Sequence, residues 1–146
     1  RELNRLLVPK GLCLLPMRYS AKRVLLYLYS PSRLKRDLSD ERAAELLRAA
    51  GYSDAGAERS LVRLIGRLRC SEDFPHEIGL FLSYPPEDVK GFIEHKAADF
   101  KYSGLWKVYG DEKKAKELFD KYKKCTDIYC RLSEAGFGIE QLAVAV

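Results

Sequence analysis

The sequence predicts an α+β fold, a single domain in which a mixed β-sheet is covered by helices. Short apolar runs with strand character are interspersed with longer segments in which apolar residues recur every three or four positions. The length of 146 residues is usual for one domain with one core. No repeat, low-complexity segment or long linker divides the chain, so we expect one domain over residues 1–146.

The N-terminal part of the chain predicts the end of a helix and then two strands. Leucines recur at helical spacing within Arg1–Val8, and Pro9 breaks that pattern. Leu12–Pro16 and Arg23–Tyr29 are short apolar runs separated by a polar, basic turn. The second run is apolar on both faces, which is typical of a strand in the centre of a sheet.

Two amphipathic helices are predicted next. Ser39 is a good N-cap for the first helix, and its apolar stripe ends at Gly51. The segment Asp54–Arg69 carries a second stripe of leucine and isoleucine. The opposite face of this second helix is a basic ridge of three arginines, which are Arg59, Arg63 and Arg67.

Two further strands and a short helix are predicted in the middle of the chain. His76–Tyr84 alternates between two faces as a strand does, and the following prolines stop it. Proline suits the first turn of a helix, so a short helix is expected to begin at Pro86. Tyr102–Tyr109 alternates again and predicts a strand with polar-tipped aromatic side chains.

The longest predicted helix is Asp111–Ala135, and Gly136 caps it. Its apolar seam steps by three and four residues and consists of Ala115, Leu118, Tyr122, Cys125, Tyr129 and Leu132. We therefore expect Cys125 to be a buried, free thiol. Leu142–Val146 predicts a final strand, and a helical turn from Ile139 is the alternative.

Composition and charge favour a cytoplasmic globular protein. The chain has no run approaching the roughly 20 apolar residues of a membrane-spanning helix. Its four cysteines form no C-x-x-C pair, which favours reduced thiols in a cytosol. The 26 basic residues are offset by 21 acidic ones, so the preference for anionic partners is mild.

The absence of familiar sequence motifs disfavours the nucleotide-binding, zincin and hydrolase classes. The sequence contains no P-loop, G-x-G-x-x-G, H-E-x-x-H or G-x-S-x-G motif. Only two histidines are present, and Cys125 and Cys130 are five residues apart on a predicted helix, about 140° around its axis. We therefore predict no metal site.

Two side chains are weak candidates for catalysis. A histidine side chain is a common general base, so His76 is one candidate, although a structural role at the Pro75 turn is favoured. Lys107 interrupts an aromatic and apolar segment, where partial burial would lower its pKa or bring it to an anionic ligand. The alternative for Lys107 is that it faces solvent from an edge strand.

Three aromatic residues are weak candidates for ligand binding: Tyr84, Trp106 and Tyr109. Aromatic faces stack on flat cofactors such as flavin or haem, whereas the more common role of such residues is in the core and its rim. Trp106 and Lys107 are adjacent on a predicted strand and so point to opposite faces. If a pocket exists, we expect these three residues, His76 and Lys107 to form or support it.

Two runs carry a family resemblance: His76–Phe92 reads HEIGLFLSYPPEDVKGF, and Tyr102–Gly110 reads YSGLWKVYG. Both resemble domain-of-unknown-function family 3793, a bacterial family found mainly in anaerobes, and the resemblance extends from Leu12 to the C-terminus. The family has glycine at the position of Ser83, and it has more sequence upstream, part of which we expect to be missing here. The resemblance implies no activity. Genes of this family often lie near flavodoxin or iron-uptake genes, so the resemblance implies a link to redox or iron metabolism.

We therefore expect a protein that binds a small molecule or cofactor and is associated with redox or iron metabolism. The alternative is a non-enzymatic adaptor that docks on an acidic, flavodoxin-like protein through its basic helix. Nucleic-acid binding through the arginine ridge is the third hypothesis, and it rests on charge alone. The sequence leaves open whether the protein is an enzyme.

Overall fold

The structure is a computed structural model that describes residues 2–54, 56–70 and 74–144, and this part of the chain is α+β, as predicted. The helices are α1 (Glu2–Leu7), α2 (Pro31–Leu38), α3 (Glu41–Ala49), α4 (Ala57–Cys70), α5 (Ile78–Phe81), α6 (Pro86–Glu94), α7 (Glu112–Glu134) and α8 (Ile139–Leu142). The strands are β1 (Cys13–Tyr19), β2 (Val24–Tyr29), β3 (Tyr102–Ser103) and β4 (Lys107–Val108). A 3₁₀ turn, Val8–Lys10, joins α1 to β1.

The predicted mixed sheet is replaced, in the described residues, by two separate antiparallel hairpins. One pairs β1 with β2, with a bulge between Pro16 and Arg18, and the other pairs β3 with β4. The two N-terminal strands are confirmed, but β2 is not central: its side chains Val24, Leu25 and Leu26 are exposed. The chain turns into α2 directly after β2. No further strand of the described residues pairs with this hairpin. On the β1 edge, the side-chain amide of Asn4 donates to the carbonyl of Leu14 and accepts its N–H.

The core lies among α2, α3, α4, α5 and α6, with one residue from β1. Its buried members are Met17, Leu34, Leu38, Ala43, Leu47, Tyr52, Leu61, Leu64, Leu68, Leu80, Phe81 and Val89. The helices form because their leucines recur at helical spacing and so present one apolar stripe to a common centre. The predicted helices before and after residue 51 are confirmed, apart from Ala55, which lies outside the described residues.

Helix α2 is absent from the sequence-based prediction, although its start signal is present. Ser30 occupies the N-cap position and Pro31 the first turn, an arrangement that suits a helix start. Ser39, which the sequence favours as the N-cap of α3, instead ends α2, and its hydroxyl donates to the carbonyl of Lys35 at 2.6 Å. The N-cap of α3 is Asp40, whose carboxylate accepts the backbone N–H of Arg42. The arginine and the N–H of this cap hold the pKa of Asp40 below its ordinary value.

The strand predicted over His76–Tyr84 is wrong. Backbone N–H groups of residues 78 to 80 donate to carbonyls three residues back, and Ile78–Phe81 forms a single turn of helix. This turn buries Leu80 and Phe81 together, whereas a strand would place neighbouring side chains on opposite faces. Ser83 then has φ of +60°, in the left-handed region that glycine adopts readily, and its hydroxyl donates to Asp37.

The single strand predicted over Tyr102–Tyr109 is also wrong, because residues 104 to 106 form the turn of the β3–β4 hairpin. The N–H of Gly104 donates to the carbonyl of Trp106 at 3.1 Å. A Cβ at Gly104 would lie 2.2 Å from the ring of Phe119. Glycine therefore lets the hairpin pack closely against α7.

Helix α7 confirms the predicted long helix. The predicted burial of its apolar seam is wrong beyond the first turns. Ala115 is buried and Leu118 half-buried, whereas every residue from 120 to 131 is exposed. Cys125 is thus an exposed thiol, because α7 extends past the core that its first turns contact. The chain ends in the helical alternative, α8, rather than in a strand, and Ala145 and Val146 lie outside the described residues.

Candidate functional site

A cavity of about 350 Å³ lies between the segment that contains α5 and α6 and the β3–β4 hairpin. We call it the hairpin cavity. Its aromatic walls are Phe74, His76, Tyr84, Phe92 and Trp106, and its other lining residues include Val89, Lys107 and the edge of Asp88. The cavity is therefore largely aromatic and apolar, with few polar groups.

Four of the five residues predicted from sequence line this one cavity: His76, Tyr84, Trp106 and Lys107. Tyr109 lies outside it. The ring of Tyr109 stacks on that of His95 at 5.5 Å, and its hydroxyl donates to the carbonyl of Ala98. Trp106 and Lys107 both reach the cavity, contrary to the prediction of opposite faces, because Trp106 lies in the hairpin turn rather than within a strand.

Asp88 attaches the hairpin to the first turn of α6. Its side chain is buried, at 3% exposure, and accepts three hydrogen bonds of 2.8 Å. The donors are the indole Nε1–H of Trp106 and the backbone N–H groups of Tyr109 and Gly110. A buried carboxylate requires such donors, and charge-assisted bonds of this kind are stronger than neutral ones. The position of Trp106 therefore depends on Asp88.

Trp106 is held from two further directions by aromatic rings. The ring of Tyr84 stacks on it at 4.5 Å between centroids, and the ring of Phe119 from α7 meets it edge to face, also at 4.5 Å. Such geometries are the favoured ones for aromatic pairs. Burial raises the pKa of the Tyr84 phenol, and the nearby Tyr122 adds to this. The indole is thus fixed in one orientation at the cavity wall.

His76 is exposed and stands between two aromatic rings, those of Phe92 at 5.1 Å and Phe74 at 6.0 Å. Among the described residues its imidazole makes no hydrogen bond or ion pair, and the structural role favoured from sequence stays a prediction. The neighbouring Glu77 is buried and points elsewhere, toward the hydroxyl of Tyr52 at 2.8 Å.

Lys107 is half-buried, and its ammonium supports a loop. It donates to the carbonyl of Ala97 at 2.6 Å and lies 4.6 Å from the centre of the Phe100 ring. Ala97 and its neighbours Lys96 and Asp99 have positive φ values of 63°, 47° and 54°. Such backbone is strained for residues other than glycine, so the ammonium stabilises a strained turn while its aliphatic stem lines the cavity.

Two of the three arginines of the ridge serve the fold. Arg67 pairs with the buried Glu77 at 3.2 Å and donates to the carbonyl of Ala50 at 2.8 Å. Arg63 lies over the ring of Tyr52 at 5.7 Å. Burial, followed by the hydrogen bond to Glu77, raises the pKa of the Tyr52 phenol. The ridge therefore has less free positive charge than its sequence suggests.

The described residues provide neither a cluster of metal ligands nor a helix that could span a membrane. No group of three or more His, Cys, Asp or Glu side chains within residues 2–54, 56–70 and 74–144 is placed to hold a metal ion. No helix of these same ranges is both long and apolar enough to cross a membrane. The four cysteines are free thiols.

Asp88, Phe74 and Phe92 are the site residues that sequence reasoning missed. Asp88 lies in the first turn of α6, where acidic residues are common, so its position in the sequence does not show that it is buried. The signal available was a phenylalanine on each side of His76–Tyr84, at positions 74 and 92. Aromatic residues that bracket a candidate histidine are worth testing as cavity walls.

Comparisons with known proteins give one match. A protein-family model with the description "Protein of unknown function (DUF3793)" matches residues 1–143. No curated protein and no solved structure matches the chain.

Proposed function

Because the chain belongs to the DUF3793 family, whose description names no activity, we propose its function from the site itself: the protein binds a small, planar, mainly apolar molecule in the hairpin cavity. The observation that carries this proposal is the convergence of aromatic side chains from two separate segments on one cavity. Ring faces in such a cavity offer stacking surfaces to a flat ligand.

The size of the cavity limits the ligand. Ligand pockets are usually about 300–1,000 Å³, and the hairpin cavity, at about 350 Å³, is near the lower limit. This favours a compact ring system, such as that of a flavin, over a haem macrocycle. A flavin would also agree with the proposed link to redox metabolism, which is still a prediction.

The polar groups of the cavity favour binding over catalysis. The carboxylate of Asp88 already accepts three hydrogen bonds, and the ammonium of Lys107 is bound to the carbonyl of Ala97. His76 alone of these three has no polar partner among the described residues. Acid–base chemistry usually pairs titratable groups in different environments, whereas a lone imidazole at the mouth can donate one hydrogen bond to a ligand.

Intrinsic fluorescence provides a direct test, because Trp106 is the only tryptophan of the chain. We expect riboflavin to quench its emission saturably. Phe92→Ala should weaken binding about tenfold, which corresponds to about 1.4 kcal/mol, the upper range for one aromatic contact. Phe137→Ala removes an exposed ring outside the cavity and should leave the affinity unchanged.

The proposal fails if neither riboflavin nor a smaller planar compound such as 1-naphthol quenches Trp106 saturably. It also fails if Phe137→Ala weakens binding as much as Phe92→Ala. The adaptor and nucleic-acid hypotheses stay predictions. The engagement of Arg63 and Arg67 within the fold gives them no support.

A further inference from the structure

A second and larger cavity, of about 790 Å³, lies between α2, α3 and the start of α4. The two cavities share no lining residue. We call it the helix cavity. Its volume is well inside the usual range for small-molecule sites, about 300–1,000 Å³. Ligand binding in the helix cavity is therefore proposed independently of the hairpin cavity and its proposed ligand.

The floor of the helix cavity is apolar. It is formed by four leucines of the core, Leu34, Leu38, Leu47 and Leu61, each less than a tenth exposed. A ligand that reached this floor would remove apolar surface from water, which is the main favourable term in most small-molecule binding. The floor therefore selects a ligand with an apolar body.

The rim of the helix cavity carries three charged side chains, those of Lys35, Asp54 and Glu58. Within the described part of the chain, Lys35 and Glu58 form no ion pair with each other or with a third residue. Asp54, also on this rim, differs because Arg48 pairs with it at 3.5 Å. Lys35 and Glu58 are thus available for a ligand that carries both signs of charge.

Two further polar side chains of the lining are those of Ser60 and Tyr29. The side chain of Ser60 is buried, at 7% exposure. Burial raises the pKa of Tyr29, and Glu58 contributes to that rise, which places the Glu58 carboxylate near this wall.

We propose that the helix cavity binds a small apolar zwitterion, the class of α-amino acids with large apolar side chains. The ligand carboxylate pairs with Lys35, and its ammonium pairs with Glu58. The apolar side chain of the ligand lies on the leucine floor. This arrangement explains together the apolar floor and the unpaired opposite charges.

Isothermal titration with three related probes tests the charge requirement. L-Phenylalanine has both charges, 3-phenylpropionate lacks the ammonium, and phenethylamine lacks the carboxylate. We expect saturable binding of L-phenylalanine and at least tenfold weaker binding of each analogue. Lys35→Gln removes the proposed partner of the carboxylate, so it should abolish the preference for L-phenylalanine over phenethylamine. Glu58→Gln removes the proposed partner of the ammonium, so it should abolish the preference for L-phenylalanine over 3-phenylpropionate.

Matched controls separate this proposal from the hairpin cavity. Lys90→Gln and Glu94→Gln alter a surface pair on α6 and should leave L-phenylalanine binding unchanged. Lys35 and Glu58 are exposed, so their variants should fold normally and keep riboflavin quenching of Trp106. Absence of saturable L-phenylalanine binding at millimolar concentration would overturn the proposal. Equal affinity for all three probes would also overturn it. So would a loss of L-phenylalanine binding in Phe92→Ala, which alters only the hairpin cavity.

Discussion

At the scale of single residues, Asp88 decides how the candidate site is assembled. Its buried carboxylate accepts one N–H from the indole of Trp106 and two from the backbone after β4. These donors are 18 to 22 residues away in sequence, so the carboxylate joins α6 to the hairpin directly. Without it, three buried or half-buried N–H groups would have no partner.

The variant Asp88→Ala should therefore destabilise the protein by about 3 kcal/mol or more, because each buried donor left unpaired costs roughly 1–3 kcal/mol. Urea unfolding measures this loss, and the emission of Trp106 should shift to longer wavelength as the indole becomes solvated. Glu94→Ala on the same helix is the control, and we expect a change of about 0.5 kcal/mol or less. A stability equal to that of the control would show that Asp88 does not hold the hairpin.

The cysteines give a second test at this scale. Cys70, Cys125 and Cys130 are exposed, whereas Cys13 in β1 is half-buried. We expect three thiols to react rapidly with Ellman's reagent in the native protein and the fourth, Cys13, to react more slowly. Denatured protein, in which all four react at once, is the reference. Slow labelling of Cys125 in the native protein would contradict the structure and support the buried position predicted from the sequence.

At the scale of elements, close packing of the hairpin on α6 depends on the small size of Gly91. A Cβ added at this residue would lie 2.3 Å from the ring of Tyr109, a distance that real contacts do not show. A similar approach occurs at Gly110, where an added Cβ would lie 2.6 Å from the side chain of Glu87. Glycine at these two positions, one on α6 and one after β4, therefore lets the hairpin and the helix approach closely.

Two glycine-to-alanine substitutions should have opposite effects for this reason. Gly91→Ala should lower the free energy of unfolding by about 1–3 kcal/mol through overpacking against Tyr109. Gly66→Ala, in the interior of α4 with open space around the added Cβ, should raise it by about 0.5–1 kcal/mol. Thermal unfolding of both variants provides the comparison. A stabilised Gly91→Ala protein would mean that the hairpin is not docked on α6.

Helix α7 shows what a periodic pattern does and does not determine. The stepping of its apolar residues by three and four positions correctly predicts a helix from about 111 to 135. The same pattern predicts a buried face, but Tyr122 and Tyr129 are 38% and 44% exposed. Periodicity defines which residues share a face, whereas burial requires a neighbouring element that reaches that face.

At the scale of the whole molecule, two tyrosines join distant parts of the chain. The hydroxyl of Tyr27 on β2 donates to the carbonyl of Phe81 in α5, and that of Tyr52 donates to the buried Glu77. Burial is the main cause that raises the pKa of both phenols above their ordinary value. The native state therefore retains these two protons at pH values where the unfolded chain has lost them.

Alkaline pH should destabilise the protein as a consequence. A tyrosine whose folded pKa is raised contributes stability that is fully present below the unfolded pKa of about 10 and is lost as the pH rises above it. We expect the urea midpoint to fall between about pH 9 and 11. Tyr52→Phe should lower stability at neutral pH and make this fall shallower. Tyr19→Phe, at a 65% exposed position, should leave the curve unchanged, and an equal effect of both variants would contradict the assignment.

The sequence by itself determined much of this molecule. It indicated the α+β class, the two N-terminal strands and three of the core helices, α3, α4 and α6, because the spacing of apolar residues is a strong local signal. It also singled out four side chains that now line one cavity: His76, Tyr84, Trp106 and Lys107.

Only the tertiary structure decided the local form of those two runs and their partners. Ile78–Phe81 and the hairpin at 104–106 are too short for periodicity to separate a strand from a helical turn, so packing against the core selects the form. The hydrogen bond from Trp106 to Asp88 joins residues 18 positions apart, and that from Tyr52 to Glu77 joins residues 25 positions apart. Local sequence does not encode such distances. Whether a carboxylate is buried, a lysine supports a turn or a thiol is exposed follows from which elements meet, and that is decided when the whole chain packs.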